Sequence, residues 1–403
     1  MSEHQIHSKE NDSASVSRAR FLKDVLICSL GAYGGPEAHI SIFLDQLVTK
    51  RRYLQEEELL ELVALCSILP GPTSTQTIVS VGYRQGGPWL AFLTMLVWAA
   101  PVLLTMTLLS FGYDLLSRAH ISTDVLRFVG PMAVGFIILA AIRIGRKVVV
   151  DKLTVGLMLF SAIATYFIRT PWIFPLVLLV GGTASIVASG ETGIWNRPRI
   201  SPPWRFFVLF AGIAIGLLLA TFVFDAGILR IFESFYRYGY LVFGGGQVVV
   251  PVMHSELVEL RSYMTNEEFL TGYGLVQGLP GPMFSFAAYA GGLAARGGSV
   301  FHQALGAAAG GIGIFLPGLL LVYFVYPIWT GIRQMRAVKL SLKGINAVAG
   351  GMIAVAAVIL LQKNGFSPVN VGVSVSTAAL LATRIVPAPL IVAVALGLGT
   401  VFS

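Results

Sequence analysis

Long apolar runs recur along the chain and are separated by short polar segments. A helix needs about 20 apolar residues to cross the hydrocarbon core of a bilayer, and Phe206–Phe224 is one such run without a charged side chain. Similar runs occupy Pro88–Tyr113, Val129–Ile142, Leu153–Ile168, Trp172–Ser189, Ala304–Tyr326, Ile345–Leu361 and Ile385–Phe402. The pattern predicts an all-α, polytopic membrane protein.

The composition agrees with this interpretation. Of the 403 residues, 55% are hydrophobic and 12% are charged, whereas a soluble globular chain carries about 25% charged residues. The net charge of +8 comes mostly from Lys and Arg in short loops beside the apolar runs, where such residues set the orientation in the membrane. The positive charge therefore does not indicate a nucleic-acid partner; the expected surroundings are the lipid bilayer.

Two local features bear on the cellular compartment. Cys28 and Cys66 both lie in apolar stretches, so we expect two small buried side chains and neither a disulfide framework nor a zinc site. Met1–Arg20 is polar, rich in Ser, and lacks the apolar core of a signal peptide. We expect residues 1–20 to form a disordered cytoplasmic tail on a protein of the cell (inner) membrane.

The chain repeats itself at an offset of 210 residues. Residues 34–72 align without a gap on residues 244–282, with 14 identities in 39 positions. The identities include Gly34-Gly35 with Gly244-Gly245, Arg51 with Arg261, Tyr53 with Tyr263, Glu57-Glu58 with Glu267-Glu268, and Leu69–Pro72 with Leu279–Pro282. Such repetition indicates two homologous halves. We place them at residues 21–190 and 228–403, joined by a linker with one extra span at residues 191–227.

The basic loops predict how the halves are oriented. Three clusters lie at residues 143–152, 197–205 and 333–343, and placing all of them in the cytoplasm requires six crossings, one linker span and six more. The single linker span inverts the second half, as in many secondary transporters. We expect about 13 crossings (10–13), the lower counts applying if the motif-bearing segments dip in and return. Thirteen crossings leave Lys50, Arg51 and Arg52 outside as a local exception.

Two kinds of segment interrupt the helices, once in each half. Gly34-Gly35-Pro36 is matched by Gly244-Gly245-Gly246, and Pro70-Gly71-Pro72 is matched by Pro280-Gly281-Pro282. A proline inside a helix removes a hydrogen bond and costs about 3 kcal/mol, so two prolines around a glycine should end the helix. At membrane depth the freed backbone groups must line a protein interior or a wet cavity.

The helix that follows each Pro-Gly-Pro break begins with unpaired backbone N–H groups and the positive end of its dipole, a ready anion site. Neutral donors beside it suit an oxyanion that must bind and leave. We expect the substrate to contact Gly71, Thr73, Ser74, Thr75, Gln76, Gly245, Gly246, Gln247, Gln277, Gly281 and Ser285. The alternative is that each break is only a kink for helix packing; its matched recurrence favours a substrate site near the membrane midplane.

Ionisable side chains within apolar segments are costly and often belong to proton relays. Glu37 and His39 follow the first glycine pair, and we predict that they couple transport to protons. The alternative is a carboxylate that caps a half-helix and a His in a wet vestibule. In the second half Gln247 replaces Glu37, so the halves are not expected to be equivalent in function.

Other charged residues have simpler interpretations. Arg84 and Arg296 each follow the second kind of break by about a dozen residues, and either attract substrate or anchor the helix end. Glu57-Glu58 and Glu267-Glu268 are typical of first helical turns. The sequence carries no Walker loop, His-Glu-x-x-His pair, Gly-x-Ser-x-Gly elbow or dinucleotide fingerprint. We therefore predict neither an enzyme nor a cofactor.

At these motifs the sequence resembles the chromate ion transporter family in its long, two-domain form. The resembling segments are Gly34–His39, Leu69–Gln76, Phe243–Pro251 and Gln277–Phe284. The resemblance implies export of chromate across the bacterial plasma membrane, with sulfate as a competing analogue, and about thirteen spans in oppositely oriented halves. The expected mechanism is alternating access driven by protons or membrane potential; a sulfate or other anion carrier, or an anion channel, remains the alternative. A homodimer is also possible.

Overall fold

A computed structural model describes residues 17–118, 124–168, 170, 172–192, 201–224, 226–243, 246–333 and 335–402. Within these ranges every regular element is a helix. The helices are α1 Arg18–Gly31, α2 Pro36–Phe43, α3 Glu56–Ile68, α4 Thr73–Arg118, α5 Val129–Val148, α6 Lys152–Phe167, α7 Ile173–Ala188, α8 Trp204–Val223, α9 Gly227–Leu241, α10 Val249–His254, α11 Asn266–Gln277, α12 Phe286–Ala294, α13 Val300–Val325, α14 Trp329–Ile332, α15 Arg336–Asn364, α16 Pro368–Thr383 and α17 Ala388–Val401. The all-α prediction is confirmed.

Five segments of the described chain are long and apolar enough to cross a membrane. They are Thr73–Leu116, Asp124–Val148, Trp204–Val223, Val300–Ile332 and Arg336–Asn364. Shorter apolar helices accompany them, among them α6, α7, α16 and α17. Each predicted apolar run falls largely on one of these helices, whereas α16 had no predicted run because polar residues interrupt its Val and Ala positions.

In the first half, α1 and α2 lie side by side as a helical hairpin. A π-helical segment, Leu44–Lys50, continues α2. Asp24 near the start of α1 accepts hydrogen bonds from Gln46 within that segment and from Arg51 directly after it (3.2 and 3.0 Å), and the ring of Phe21 lies edge-on to Tyr53. The two arms are therefore antiparallel, and the turn at residues 51–55 lies beside the beginning of α1.

The next two segments form a second hairpin around the first Pro-Gly-Pro break. Arg84 forms an ion pair with Glu58 in the first turn of α3, and the Gln85 amide donates to the carbonyl of Tyr53 (2.7 Å). Helix α4 then loses helical geometry at Gly86 and Gly87, so residues 73–85 form the returning arm. Residues 88–118 form a separate helix about 46 Å long at 1.5 Å per residue.

The second half repeats this arrangement. A π-helical segment, Ser255–Leu260, follows α10 at the matching position, and Ser234 on α9 donates to Glu256 within it (3.2 Å). Arg296 at the end of α12 pairs with Glu268 at the start of α11, as Arg84 does with Glu58. The residues after each π segment, Arg52 and Ser262, both have a left-handed backbone (φ 53° and 51°).

The two halves pack against each other through their long helices. Gly311 of α13 packs on Leu103 of α4. Toward one end of this contact Gln303 donates to the carbonyl of Ser110 (3.3 Å); toward the other the Tyr323 hydroxyl donates to the carbonyl of Pro88. Position numbers rise along one helix as they fall along the other, so α4 and α13 are antiparallel.

Ion pairs gather several loops at one end of the molecule, which we call face A. Arg333 pairs with Glu61, Arg336 pairs with Glu191 (2.6 Å) and Lys343 pairs with Asp151. The hydrogen bond from Lys343 lowers the pKa of Asp151 to about 2. Face A therefore contains the α5–α6 loop, the end of α7 and the α14–α15 loop. It also contains the start of α3, which follows the turn at residues 51–55.

The opposite end of the molecule is face B. Lys363 at the end of α15 pairs with Glu259 (3.5 Å) after α10. The end of α17 lies against the segment that precedes α5, where Phe402 contacts Phe128 and Gly399 packs on Val125. Both hairpins of the second half therefore open at face B, and both hairpins of the first half open at face A.

Candidate functional site

The first Pro-Gly-Pro break separates α3 from α4. Gly71 has φ +128°, and a Cβ there would lie 2.5 Å from the Gln76 amide nitrogen. That nitrogen donates to the carbonyl of Pro70 (2.8 Å). Only glycine fits both the backbone conformation and the space, so the predicted break is present and Gln76 folds back over it.

A helix N-terminus follows the first break, as predicted. The first intrahelical hydrogen bond of α4 runs from the Gln76 N–H to the carbonyl of Pro72 (2.9 Å). The N–H groups of Thr73, Ser74 and Thr75 precede it, and they carry the positive end of the helix dipole. The side chains of Ser74 and Thr75 are buried. The break therefore presents hydroxyls and backbone donors in the protein interior.

Two ring nitrogens reach these hydroxyls. Nδ1 of His39 lies 3.0 Å from Oγ of Ser74, and Nε1 of Trp98 donates to Oγ1 of Thr75 (3.1 Å). Ser29 holds the Trp98 carbonyl through its own hydroxyl (2.7 Å). His39 was predicted as a coupling residue, and the structure places it against predicted substrate contacts. Trp98 and Ser29 were missed, since a Trp or Ser in an apolar run gives no sequence signal.

The second Pro-Gly-Pro break repeats the backbone but not the side chains. Gly281 has φ +107°, and a single 3-10 turn, Met283–Ser285, precedes α12. The Ser285 hydroxyl and the Gln277 amide nitrogen are buried without a hydrogen-bond partner among the described residues, as is Oε1 of Gln76. Buried polar atoms normally have partners, so these three atoms mark both breaks as polar sites.

At the 210-residue offset the second half replaces most polar groups with apolar ones. Val249 corresponds to His39, and Met283, Phe284 and Phe286 correspond to Thr73, Ser74 and Gln76; only the Thr75–Ser285 pair keeps a hydroxyl. An apolar cavity lies beside this break, lined by Val249, Val250, Met253, Phe269, Tyr273, Met283, Phe284 and Phe286. The expected inequivalence of the halves is visible in their side chains.

Four predicted residues lie around the glycine breaks. The side chain of Glu37 and the residue Gly245 lie outside the described part of the chain. Gly246 and Gln247 lie in the 3-10 turn Gly246–Val248, and Gln247 is half-buried. The structure thus gathers the first-half residues into one cluster and leaves the contribution of Glu37 a prediction.

The breaks of the two halves are joined to each other. The Gly71 N–H donates to the carbonyl of Val242, and the Gly281 N–H donates to the carbonyl of Ala32, both at 2.8 Å. Ala32 and Val242 are themselves 210 residues apart. This exchange has the reciprocity of a two-fold interface. The two Pro-Gly-Pro breaks therefore share one interface between the halves.

Each half also contains a buried ionic network that the sequence did not reveal. Asp24 binds Arg51, Gln46 and the Tyr53 hydroxyl (2.5 Å). In the second half Glu256 occupies the position of Gln46, and Ser234 that of Asp24. In the second half the carboxylate therefore stands on the π-helical segment and not on the first helix of the hairpin. It binds Arg261 (2.9 Å) and Arg237 (3.0 Å).

The two arginines near the helix ends are both paired. Arg84 binds Glu58 and Arg296 binds Glu268, and each of these carboxylates also accepts from a backbone N–H at the start of its own helix. The first-turn placement predicted for the glutamates is confirmed.

Comparison with known proteins agrees with this geometry. The profile described as "Chromate transporter" matches the chain twice, at residues 19–186 and 229–400. The chain belongs to the chromate transporter family. Both Pro-Gly-Pro breaks lie inside the matched segments, so the family signature covers the candidate site in each half.

Several relatives of the chromate transporter family resemble the chain over most of its length. A chromate transport protein of Pseudomonas aeruginosa is 26% identical over 90% of this chain and 85% of its own. One from Cupriavidus metallidurans is 24% identical over 92% and 89%, and a probable chromate transport protein of Synechococcus elongatus is 25% identical over 93% of each chain. No solved structure matches the chain significantly.

Proposed function

We propose that the chain transports chromate, or a similar tetrahedral oxyanion, out of the cytoplasm by alternating access. The observation that carries this proposal is the pair of linked helix breaks, with buried hydroxyls, helix N-termini and the unpartnered donor groups of Gln277 and Ser285. A tetrahedral dianion presents only acceptor oxygens, and these donors suit it. The names of the relatives supply chromate as the first candidate.

The hairpins support a specific membrane arrangement. The two arms of each hairpin lie antiparallel, and each hairpin returns to the face from which it entered. We assign four re-entrant hairpins and nine crossings. The crossings are residues 88–118 of α4 and helices α5, α6, α7, α8, α13, α15, α16 and α17.

This arrangement inverts the second half, because four crossings of the first half and the single crossing of α8 leave its hairpins at face B. It also removes the exception at Lys50, Arg51 and Arg52, which join the other basic loops at face A. Face A then carries Arg18, Arg20, Lys23, Lys50, Arg51, Arg52, Arg84, Arg143, Arg146, Lys147, Lys152, Arg205, Arg333, Arg336, Lys339, Lys343 and Arg384. Among the residues whose side chains the structure describes, face B carries fewer than half as many: Arg127, Arg230, Arg237, Arg261, Arg296 and Lys363. The positive-inside rule makes face A cytoplasmic.

The direction of transport follows from charge. A dianion that leaves a cell with a negative interior gains about 2.3 kcal/mol per charge per 100 mV, so the membrane potential favours export. Proton entry adds a second driving force through Glu37 and His39. Alternating access would move the first-half hairpins against the second-half hairpins about the two reciprocal hydrogen bonds, Gly71 to Val242 and Gly281 to Ala32.

Purified protein in proteoliposomes tests the function. Labelled chromate uptake is measured with sulfate, phosphate or molybdate as competitors, under a potential alone, a pH gradient alone, or neither. Saturable uptake that accumulates chromate against its gradient supports a coupled carrier. Strong competition by sulfate with weak chromate transport would make sulfate the substrate.

Two further outcomes would contradict parts of the proposal. Flux that never exceeds equilibrium and does not saturate would indicate an anion channel instead of a carrier. Normal proton-driven uptake by Glu37→Gln would remove Glu37 from the coupling mechanism, whereas we expect that variant to fold and to lose coupling.

A further inference from the structure

The four residues His39, Ser74, Thr75 and Trp98 form a buried cluster in which each hydroxyl meets one ring nitrogen. None of the four is more than 5% exposed. The rings of His39 and Trp98 lie edge to face at 5.4 Å, so each ring also fixes the position of the other. The cluster sits on the first turn of α4, where the backbone N–H groups of the proposed anion site begin.

The fold itself does not require this cluster. In the second half the same backbone is built with Val249 at the position of His39 and Phe284 at that of Ser74. The second break keeps its glycine conformation and its reciprocal hydrogen bond without any ring–hydroxyl pair. A ring–hydroxyl cluster is therefore not needed to build a break of this kind.

The two ring nitrogens differ in what they can do. The indole N–H of Trp98 is only a donor, so Thr75 Oγ1 accepts from it and the hydroxyl proton of Thr75 points elsewhere. Nδ1 of a histidine either donates or accepts. When Nδ1 is bare, the Ser74 hydroxyl proton is directed to it; when Nδ1 carries a proton, Ser74 accepts and its own proton is released toward a ligand.

We propose that His39 is a positioning residue: its neutral Nε2–H tautomer takes the Ser74 proton and its protonated ring makes Ser74 a donor to the anion, while Trp98 keeps Thr75 a donor at every pH. This inference rests on the proposed function and specifies how a proton and an anion are bound together. One proton on His39 is thereby linked to one added hydrogen bond to the anion. The negative charge of a bound dianion favours the protonated imidazole, so anion binding and proton uptake reinforce each other.

Other titratable groups lie on the elements packed against His39. They are Asp24 and Cys28 on α1, Asp45 and Lys50 on the π segment after α2, and Glu37 on α2 itself, whose side chain lies outside the described part of the chain. Asp24 is held by Arg51 and Asp45 by Lys50 (2.6 Å). The first three turns of α4 carry no titratable side chain before Tyr83.

Chromate affinity of the purified protein tests this inference, measured from about pH 8 down to about pH 4, because a buried imidazole takes up its proton below the range of an exposed histidine. Asparagine offers an amide nitrogen at the place of Nδ1 and does not titrate. We expect His39→Asn to bind chromate at all these pH values, and the wild type to approach that affinity as the pH falls. The ratio of the two affinities cancels the titration of chromate itself.

His39→Leu removes the ring that takes the Ser74 proton, and we expect its chromate affinity to lose the pH dependence of the wild type. Trp98→Phe should weaken binding equally at every pH, with the exposed Trp89→Phe as its unaffected control. Loss of the pH dependence in His39→Asn and His39→Leu, but not in Trp98→Phe, excludes a merely structural role, and size-exclusion profiles establish that each variant is folded.

Failure of the proposed function and failure of this inference give different results. A wild-type protein that binds no chromate overturns the proposed function, whatever the variants do. If the wild type binds chromate but His39→Asn or His39→Leu keeps its pH dependence, the proton-operated Ser74 donor is wrong and the proposed function stands.

Discussion

The backbone N–H of Gly71 donates to the carbonyl of Val242 in the other half, at 2.8 Å. Its counterpart runs from Gly281 to Ala32 at the same distance. Each Pro-Gly-Pro break is thus tied to the residue two positions before the glycine pair of the opposite half. A movement of one half relative to the other must change both contacts.

Alanine at Gly71 or Gly281 should damage these contacts. Both glycines have positive φ, and the new Cβ would meet the Gln76 amide nitrogen at 2.5 Å or Val102 Cγ1 at 3.0 Å. Strained backbone of this kind costs about 1–3 kcal/mol. We expect Gly71→Ala to lose more stability than Gly281→Ala and both to lose transport, measured by thermal denaturation and vesicle uptake.

Gly216 on α8 provides the control, because a Cβ there meets nothing within 4 Å. Gly216→Ala should leave transport unchanged and raise stability slightly, since alanine favours a helix over glycine. Wild-type uptake by Gly71→Ala would show that the break tolerates a side chain and would weaken its role as a transport element.

The transposed carboxylates predict a double-variant rescue. Asp24→Ser alone leaves Arg51 without its buried partner, and Gln46→Glu alone places two carboxylates beside it. The combined Asp24→Ser/Gln46→Glu protein rebuilds the arrangement of Ser234, Glu256 and Arg261. We expect each single change to cost about 1–3 kcal/mol, less than a fully buried pair because Arg51 is partly exposed, and the double change to recover most of it.

Denaturation of all four proteins completes the cycle. If the double variant is as unstable as the sum of the single variants, the two networks are not interchangeable and their likeness has no energetic meaning.

Cysteine labelling distinguishes nine crossings with four hairpins from thirteen crossings. Arg52 and Ser262 are exposed at matching turns. With re-entrant hairpins, Arg52→Cys reacts from the same side as Lys339→Cys, and Ser262→Cys reacts from the side of Lys363→Cys. Thirteen crossings reverse both results. The native Cys28 and Cys66 are buried, so the unmodified protein supplies a low background.

The sequence predicted those parts of the architecture that leave a run of apolar residues or a repeated motif. Apolar runs located the long helices, and the offset repeat located both Pro-Gly-Pro breaks, since backbone demands at Gly71 and Gly281 preserve the same residues. The re-entrant arms were harder to assign, because α1 and α2 together are as long as one crossing. The contacts of Asp24 with Arg51 and of Phe21 with Tyr53 show that the chain turns back.

The site was predictable only in part, for a related reason. Thr73 to Gln76 follow a visible break, but Trp98 reaches Thr75 across a second break at Gly86-Gly87, and no spacing rule links them. The ionic networks were missed because an identity search pairs Asp24 with Ser234 and Gln46 with Glu256. A transposed charge scores as two mismatches although the interaction is kept.

The matched hydroxyls Thr75 and Ser285 should have opposite effects on stability. Thr75→Ala leaves the buried Trp98 N–H without its acceptor and should cost about 1–3 kcal/mol. Ser285→Ala removes a buried hydroxyl with no partner among the described residues, so stability should stay level or rise by up to about 1 kcal/mol. Both variants should transport chromate less well, because each removes a donor at a break.

Ser161→Ala is the control for this pair: its hydroxyl donates to the carbonyl of Val348 (2.8 Å) between α6 and α15, so it should lose stability and keep transport. Unfolding and uptake are measured on the same preparations. Full transport by Ser285→Ala would confine the anion site to the first break, where the hydroxyls of Ser74 and Thr75 would hold the substrate.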